Sequence, residues 1–165
     1  MKRIIYHWTA GTYIPNSTDK KHYHYIINNK GEIYEGKFKP ENNLYCVQNS
    51  YAAHTGGGNT GSIAIAFAGM YGFSSRFDAG SYPLTKIQCE KGFELGAMLA
   101  FKYKMNLDEQ MTIQTHYGFG NRNPKTSSRG KVDIIYLPEY PEILQDEVEN
   151  FIRSKVHWYY QKLYK

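Results

Sequence analysis

An uninterrupted run of small and apolar side chains, SIAIAFAG at residues 62–69, constrains the fold of this chain more than any other feature. The run predicts a β-strand. Because both faces of this strand are apolar, we expect it at the centre of a sheet, covered on both sides. The chain has 165 residues, which is enough to bury such a core, and residues 1–165 are expected to form a single domain.

Other segments of the chain supply partners for this strand. Further strands are predicted at residues 3–7, 23–28, 32–35 and 111–115. The second and third of these are separated by a glycine-containing turn, which predicts a β-hairpin. Residues 12–21 are polar and are expected to form a loop. On the first arm of the hairpin, alternation places His24 on the opposite face from Tyr23, so we assign His24 a structural role.

Two helices are predicted, and together with the strands they define the fold class. The first spans about residues 85–104, where Thr85 and Gln88 form a capping box. Gly92 and Gly96 in this helix would let it approach the sheet closely. The second spans about residues 142–164, with acidic residues first and basic residues last, an order that complements the helix dipole. The mixture predicts an α/β single domain with a mixed central β-sheet flanked by helices.

Charge and cysteine content limit the partners and the compartment. Twenty Lys and Arg against fifteen Asp and Glu give a net charge of +5, which favours an anionic partner such as a bacterial wall, a membrane surface or nucleic acid. The basic residues are dispersed and no nucleic-acid-binding motif is present, so no nucleic acid is expected. No apolar run is long enough for a transmembrane helix or a signal peptide, so synthesis in the bacterial cytoplasm is expected. Cys46 and Cys89 form no disulfide pattern and predict free thiols.

Catalytic residue types gather in the segment from residue 111 to residue 136. A predicted strand ends at His116, a polar loop spans residues 117–130, and Lys131 and Asp133 follow. Residues two apart on an extended segment point to the same face, so the side chains of Lys131 and Asp133 are expected to point in one direction. The loop can bring both of them close to His116. A catalytic zinc site needs three protein ligands and an open position, and His7, at the end of the first strand, is the best third ligand. Spacing alone also allows structural roles for all four residues.

A glycine-rich loop precedes the central strand. The sequence TGGGNTG at residues 55–61 lacks the Gly-Lys-Ser/Thr ending of a phosphate-binding P-loop, which argues against a nucleotide site. The chain also has no G-x-S-x-G motif, and Cys89 lies inside the first predicted helix. A serine or cysteine hydrolase is therefore not expected.

Four segments carry a family resemblance, namely IIYHWTAG, HYHYIINNKGEIYEG, AAHTGGGNTGSIAIAFAG and THYGF…GKVD. In this order they resemble zinc-dependent N-acetylmuramoyl-L-alanine amidases, the family that includes small phage lysozymes with amidase activity and the peptidoglycan recognition proteins. The likeness covers about residues 3–135. It implies a peptidoglycan recognition protein-like amidase fold and hydrolysis of the amide that joins N-acetylmuramic acid to L-alanine.

The resemblance also implies roles for individual residues. Three positions resemble the zinc ligands of the family: His7, His116 and Asp133. Two resemble its catalytic tyrosine and its oxyanion-stabilising lysine: Tyr23 and Lys131. Two lie in the segment that borders the substrate groove: His54 and Asn59. The chain departs from many relatives in the longer gap between His116 and Asp133, and in Ile134-Ile135 where they have Pro-Gly.

The sequence therefore predicts a zinc-dependent peptidoglycan hydrolase of the phage endolysin type. We expect a monomer that is made in the host cytoplasm and acts on the cell wall after release, without integral membrane contact. A bacterial enzyme is the alternative origin. The alternative function is a non-catalytic peptidoglycan-binding protein of the same fold, and a second rival is a protein that binds nucleic acid or a polymerase.

Overall fold

Five strands form one mixed sheet, and the apolar run of residues 62–69 supplies its central strand. The computed structural model describes residues Met1–Lys165. The strands are β1 (Arg3–Trp8), β2 (Tyr25–Ile27), β3 (Ile33–Glu35), β4 (Ser62–Phe67) and β5 (Ile113–Thr115). Their order across the sheet is β3-β2-β4-β1-β5, and every residue of β4 is buried. The predicted central position and two-sided burial are confirmed.

The strand directions place the functional end of the sheet. β1, β2 and β4 run parallel to one another, β5 runs parallel to β1, and only the edge strand β3 is antiparallel, in the predicted hairpin with β2. The carboxyl ends of four strands therefore lie at one edge, where α/β proteins commonly bind ligands. His7 stands one residue before the end of β1, and His116 directly follows β5.

Four α-helices surround the sheet. They are α1 (Ser17–His22), α2 (Lys86–Lys102), α3 (His116–Arg122) and α4 (Val148–Tyr164). The longest two, α2 and α4, pack against each other and share the main hydrophobic core with one face of the sheet. The arrangement confirms the predicted α/β fold with a mixed sheet. None of the helices combines the length and the apolar character needed to cross a membrane.

The boundaries of α2 follow from its capping residues. The Thr85 hydroxyl accepts a hydrogen bond from the Gln88 N–H, and the Gln88 side chain accepts one from the Thr85 N–H, as the capping box predicts. The two glycines of α2 face the sheet. A Cβ atom on Gly92 would lie 2.2 Å from Cε1 of Phe67, and one on Gly96 would lie 2.1 Å from the Tyr6 hydroxyl oxygen. The predicted close approach is confirmed.

The opposite face of the sheet carries small residues and polar side chains. Ala64 and Ala66 of β4 lie on this face, and His7 of β1 stands beside Ala66 in the strand register. His24, just before β2, is also buried here; its Nδ1 accepts a hydrogen bond from the Ala64 N–H, and its Nε2 lies 2.9 Å from Oδ1 of Asn43. The alanines thus leave room for imidazole rings, and the hydrogen bonds of His24 support its structural role. Tyr23 packs on this same face, so the predicted placement of His24 and Tyr23 on opposite faces was wrong, because β2 begins only at Tyr25.

Several local predictions were wrong. Residues 17–22 form α1, not loop, because Asn16 and Asp19 cap its first turn. Residues 117–122, also predicted as loop, belong to α3. Residues 131–135 form no strand, and Ile134 adopts a left-handed φ of 62°. The C-terminal helix begins at Val148 rather than near residue 142, after a single 3₁₀ turn. Both cysteines are free, as predicted.

Candidate metal centre and active site

Three side chains from distant parts of the chain meet at the carboxyl edge of the sheet. Nδ1 of His7 lies 2.8 Å from Oδ2 of Asp133, and Nδ1 of His116 lies 3.0 Å from the same carboxylate. Their candidate ligand atoms all lie within 4.8 Å of one another. The two imidazole rings face each other edge to face, with centroids 4.7 Å apart. The structure therefore brings together the three residues predicted as metal ligands.

Each of the three is held by a different element. His7 is fixed by the β1 ladder and is fully buried. His116 opens α3, whose N-cap, Thr115, accepts a hydrogen bond from the Gly118 N–H. The Glu149 carboxylate of α4 accepts the N–H of Thr115 and thereby ties this turn to the C-terminal helix. Asp133 lies in the irregular segment after residue 130, with 13% of its side chain exposed.

Burial and mutual hydrogen bonding set the charges of this cluster. Burial lowers the pKa of His7 to about 4, despite the opposing effect of Asp133, so the imidazole is neutral at physiological pH. Burial alone would raise the pKa of Asp133, but the hydrogen bonds from His116 and His7 outweigh it and hold that pKa below its usual range. The cluster thus offers a neutral His7 and an ionised carboxylate, the protonation states that bind a divalent cation.

The cluster opens into a cavity of about 470 Å³, which is lined in part by both predicted catalytic residues. Lys131 and Asp133 both line it, although the segment that carries them is not the extended strand from which this was predicted. Tyr23 lines the same cavity, and its ring centroid lies 5.2 Å from that of His7. Lys131 is exposed and forms no ion pair. A larger cavity, about 620 Å³, elsewhere on the surface contains none of the predicted site residues.

The two residues predicted to border the substrate groove have different positions. His54 lines the cavity, but it is buried, and its Nδ1 lies 3.1 Å from Nε2 of His7. Asn59 does not line the cavity. Its amide oxygen accepts the N–H groups of His54 and Thr55, at 2.9 and 2.8 Å, and so closes the glycine-rich loop. Asn59 therefore supports the loop that carries His54.

Two residues that the sequence did not predict contact the Nε2 atoms of the two histidines. Nε2 of His116 lies 3.1 Å from Oγ of Ser128, which is fully buried, and the hydroxyl of Thr55 lies 3.4 Å from Nε2 of His7. Ser128 is separated from His116 by 12 residues and Thr55 from His7 by 48 residues. No local pattern in the sequence marks either contact, because tertiary folding alone creates it.

The fold and this cluster define an α/β protein with a candidate metal centre at a solvent-open cavity. Comparison with known families then identifies the chain: the profile of N-acetylmuramoyl-L-alanine amidases (amidase type 2) matches residues 1–131, and the chain belongs to this family. The match includes His7, Tyr23 and His116 and ends two residues before Asp133. No curated protein matches the chain.

Proposed function

We propose that this chain is a zinc-dependent peptidoglycan hydrolase that cleaves the amide between N-acetylmuramic acid and L-alanine. Family membership supports the amidase activity. The observation that supports the zinc dependence is the convergence of two imidazole Nδ1 atoms on one carboxylate, beside an open cavity that His116 and Asp133 line. Two imidazoles and an ionised carboxylate that converge in this way are the ligand types that hold a divalent cation.

The donor set fits zinc. Catalytic zinc is held by three protein ligands drawn from His, Asp, Glu and Cys, and keeps one position open to solvent or substrate. His7, His116 and Asp133 would be the three ligands, and the cavity supplies the open side. Zinc in such a site supplies Lewis acidity, which activates a water molecule and polarises a carbonyl group.

Lys131 is proposed to stabilise the oxyanion that develops on the substrate carbonyl. It lines the cavity two residues from Asp133 and has no carboxylate partner that would neutralise its charge. A single well-placed donor to a developing oxyanion contributes on the order of 3 kcal/mol to transition-state stabilisation. The flexible lysine stem allows the ammonium group to reach a substrate held in the cavity.

Tyr23 is proposed to orient the attacking water through a donated hydrogen bond. Burial, together with the negative charges of Asp133 and Asp19, raises the pKa of the Tyr23 phenol, so the hydroxyl keeps its proton. A protonated phenol beside His7 favours the donor role over the role of a general base. His54 and Asn59 are proposed to shape the wall of the substrate groove.

We also propose a biological setting. The segment that carries Tyr23 resembles that of phage-type amidases, which supports an endolysin that is made in the bacterial cytoplasm and acts on the wall after release. The net charge of +5 favours association with anionic wall polymers.

The test combines metal content with the bond that is cleaved. The protein as purified should contain about one zinc per chain, should clear a suspension of purified bacterial walls, and should lose clearing when a chelator removes the metal. Cleavage should release amino groups of L-alanine without new reducing sugar ends. His7→Ala and His116→Ala should abolish zinc binding and clearing, because each removes one of three ligands.

A matched control and a contrary outcome complete this test. His157 lies on the exposed side of α4, away from the cavity, so His157→Ala should leave zinc binding and clearing unchanged. Full clearing by either ligand variant would contradict the zinc mechanism. Wall binding without release of amino groups would instead identify the non-catalytic peptidoglycan-binding alternative.

A further inference from the structure

Ser128 connects the second histidine of the cluster to the glycine-rich loop. Its Oγ lies 3.1 Å from Nε2 of His116 and 2.8 Å from the carbonyl oxygen of Gly56, and the side chain is fully excluded from solvent. A buried hydroxyl between two polar atoms satisfies both at once. Neither the family assignment nor the sequence patterns assign a role to this residue.

The direction of these two hydrogen bonds is determined by proton counting. A serine hydroxyl has one proton to donate, and a backbone carbonyl oxygen can only accept. The Ser128 proton therefore goes to Gly56, and the Ser128 oxygen accepts the N–H of Nε2 in His116. Because Ser128 holds the Nε2 proton, loss of the Nδ1 proton on metal binding would leave the lone pair on Nδ1, the atom that faces Asp133.

We propose that Ser128, anchored on the carbonyl oxygen of Gly56, is a positioning residue that fixes the tautomer and the ring orientation of His116 for metal ligation. The inference rests on the proposed function, in which His116 is a zinc ligand. Hydrogen bonds to the second nitrogen of a metal-ligating histidine orient the ring and raise its basicity. The long segment between His116 and Asp133 would then serve the metal centre, because it places Ser128 against Nε2 of His116.

Two glycines make this connection sterically possible. A Cβ atom on Gly120, in α3, would lie 2.0 Å from the carbonyl oxygen of Ser128, and one on Gly56 would lie 1.8 Å from Oγ of Ser127. Larger residues at either position would therefore push the Ser128 turn away from His116. Asn59 holds the Gly56 loop closed from the other side through the N–H groups of His54 and Thr55. The glycine-rich loop thus serves the metal centre rather than a phosphate.

The test measures zinc affinity, which a purely structural role would leave unchanged. Ser128→Ala removes the acceptor for His116 and should weaken zinc binding by about 10- to 100-fold, measured at fixed pH by competition with a chromophoric chelator. The matched control is Ser127→Ala, because Ser127 is exposed and forms no hydrogen bond through its hydroxyl. It should bind zinc as the wild type does. Ser128→Thr keeps the hydroxyl and should recover most of the affinity.

Three results separate the possible failures. If the wild type binds zinc and a folded Ser128→Ala variant matches it within about twofold, the positioning role of Ser128 is wrong and the proposed function is unaffected. If the wild type and His116→Ala bind zinc equally, the proposed function itself fails. If Ser128→Ala does not fold, NMR of the zinc-loaded wild type decides: a His116 Nε2 proton protected from solvent and close to the Ser128 β-protons supports the proposal, and its absence overturns it.

Discussion

Lys131 lines the cavity without a charged partner in the folded protein. It is the only lysine or arginine that lines the cavity, and it forms no ion pair there. Its neighbour Asp133 is engaged by His7 and His116, so the carboxylate is not available to neutralise it. An unneutralised cation at the entrance of a partly enclosed site is suited to stabilise negative charge that develops on a substrate.

Removing that charge should therefore lower the rate without disturbing the metal. Lys131→Met should reduce kcat for wall hydrolysis by about 100-fold or more, with little change in KM or zinc affinity, because an interaction made in the transition state is lost. Lys125→Met, an exposed lysine in the same segment, should have wild-type kinetics. A large rise in KM with unchanged kcat would indicate that Lys131 binds the substrate in its ground state instead.

The sequence predicted the proximity of several site residues, although their roles stay predictions. His7 was placed by the end of a predicted strand, and Lys131 and Asp133 by their order after His116; the structure brings all four to one site or cavity edge. Lys131 and Asp133 nevertheless lie on an irregular segment and not on the extended strand from which their common direction was predicted. Ser128 could not be predicted, because its contacts with His116 and Gly56 arise from long-range packing rather than from a local pattern.

At the scale of elements, capping residues were more informative than helix propensity. Thr85 and Gln88 predicted the start of α2 correctly. By contrast α3 was predicted as loop because Gly118 and Gly120 disfavour helices by about 1 kcal/mol each. Tertiary contacts explain these glycines: a Cβ at Gly118 would lie 2.1 Å from Oε2 of Glu149, and one at Gly120 would meet Ser128. The glycines of α3 therefore leave space for Glu149 and Ser128, a tertiary effect that helix propensity does not include.

The same reasoning predicts the effect of filling the contact between α2 and the sheet. Gly92→Ala would gain up to about 1 kcal/mol of helix propensity, but the new methyl group would lie 2.2 Å from a fully buried Phe67 ring. Overpacking of this kind costs about 1–3 kcal/mol or more when the neighbour cannot move, so the net effect should be destabilising. Urea unfolding should show a loss of about 1–2 kcal/mol.

A neighbouring position on α2 provides the control. Lys91 is exposed, and its ion pair with Glu94 lies on the surface, where such pairs contribute little. Lys91→Ala should therefore change the free energy of unfolding by less than about 0.5 kcal/mol. An increase in stability for Gly92→Ala would show that the helix can shift away from the sheet.

At the scale of the whole molecule, the parallel strands assemble a site from segments that are distant in sequence. His7 and Asp133 are 126 residues apart and lie 2.8 Å from each other. The pairing of β1 with β5 sets His7 beside His116, and the irregular segment after residue 130 brings Asp133 to both histidines. The strands could be predicted individually from their apolar runs, whereas their order β3-β2-β4-β1-β5 depends on long-range pairing that no single segment encodes.

The polar face of the sheet also makes the stability of the whole domain sensitive to acid. Burial lowers the pKa of His24 to about 4 and that of His54 well below its usual value, as it does for His7. In the unfolded chain these imidazoles titrate near pH 6.5, so between about pH 6.5 and 4 the unfolded state binds more protons than the folded state. The stability present above pH 6.5 is therefore lost as the pH falls through this window. Asp133, whose pKa is lowered from 3.8, contributes to the loss of stability only below this pH window.

His24 allows this acid sensitivity to be measured apart from the metal centre. Protonation of its Nδ1 would break the hydrogen bond from the Ala64 N–H in the central strand. At pH 4.5, two units below the unfolded pKa, this site alone should lower the free energy of unfolding by about 2 kcal/mol relative to pH 7. Urea unfolding with a chelator present should show that loss in the wild type and a smaller one in His24→Gln, which starts from lower stability.

His157→Gln, on the exposed side of α4, should match the wild type. Equal stability of the wild type at pH 7 and pH 4.5 would mean that the buried imidazoles accept protons without loss of stability. The neutral state assigned to these imidazoles in the folded protein would then be wrong.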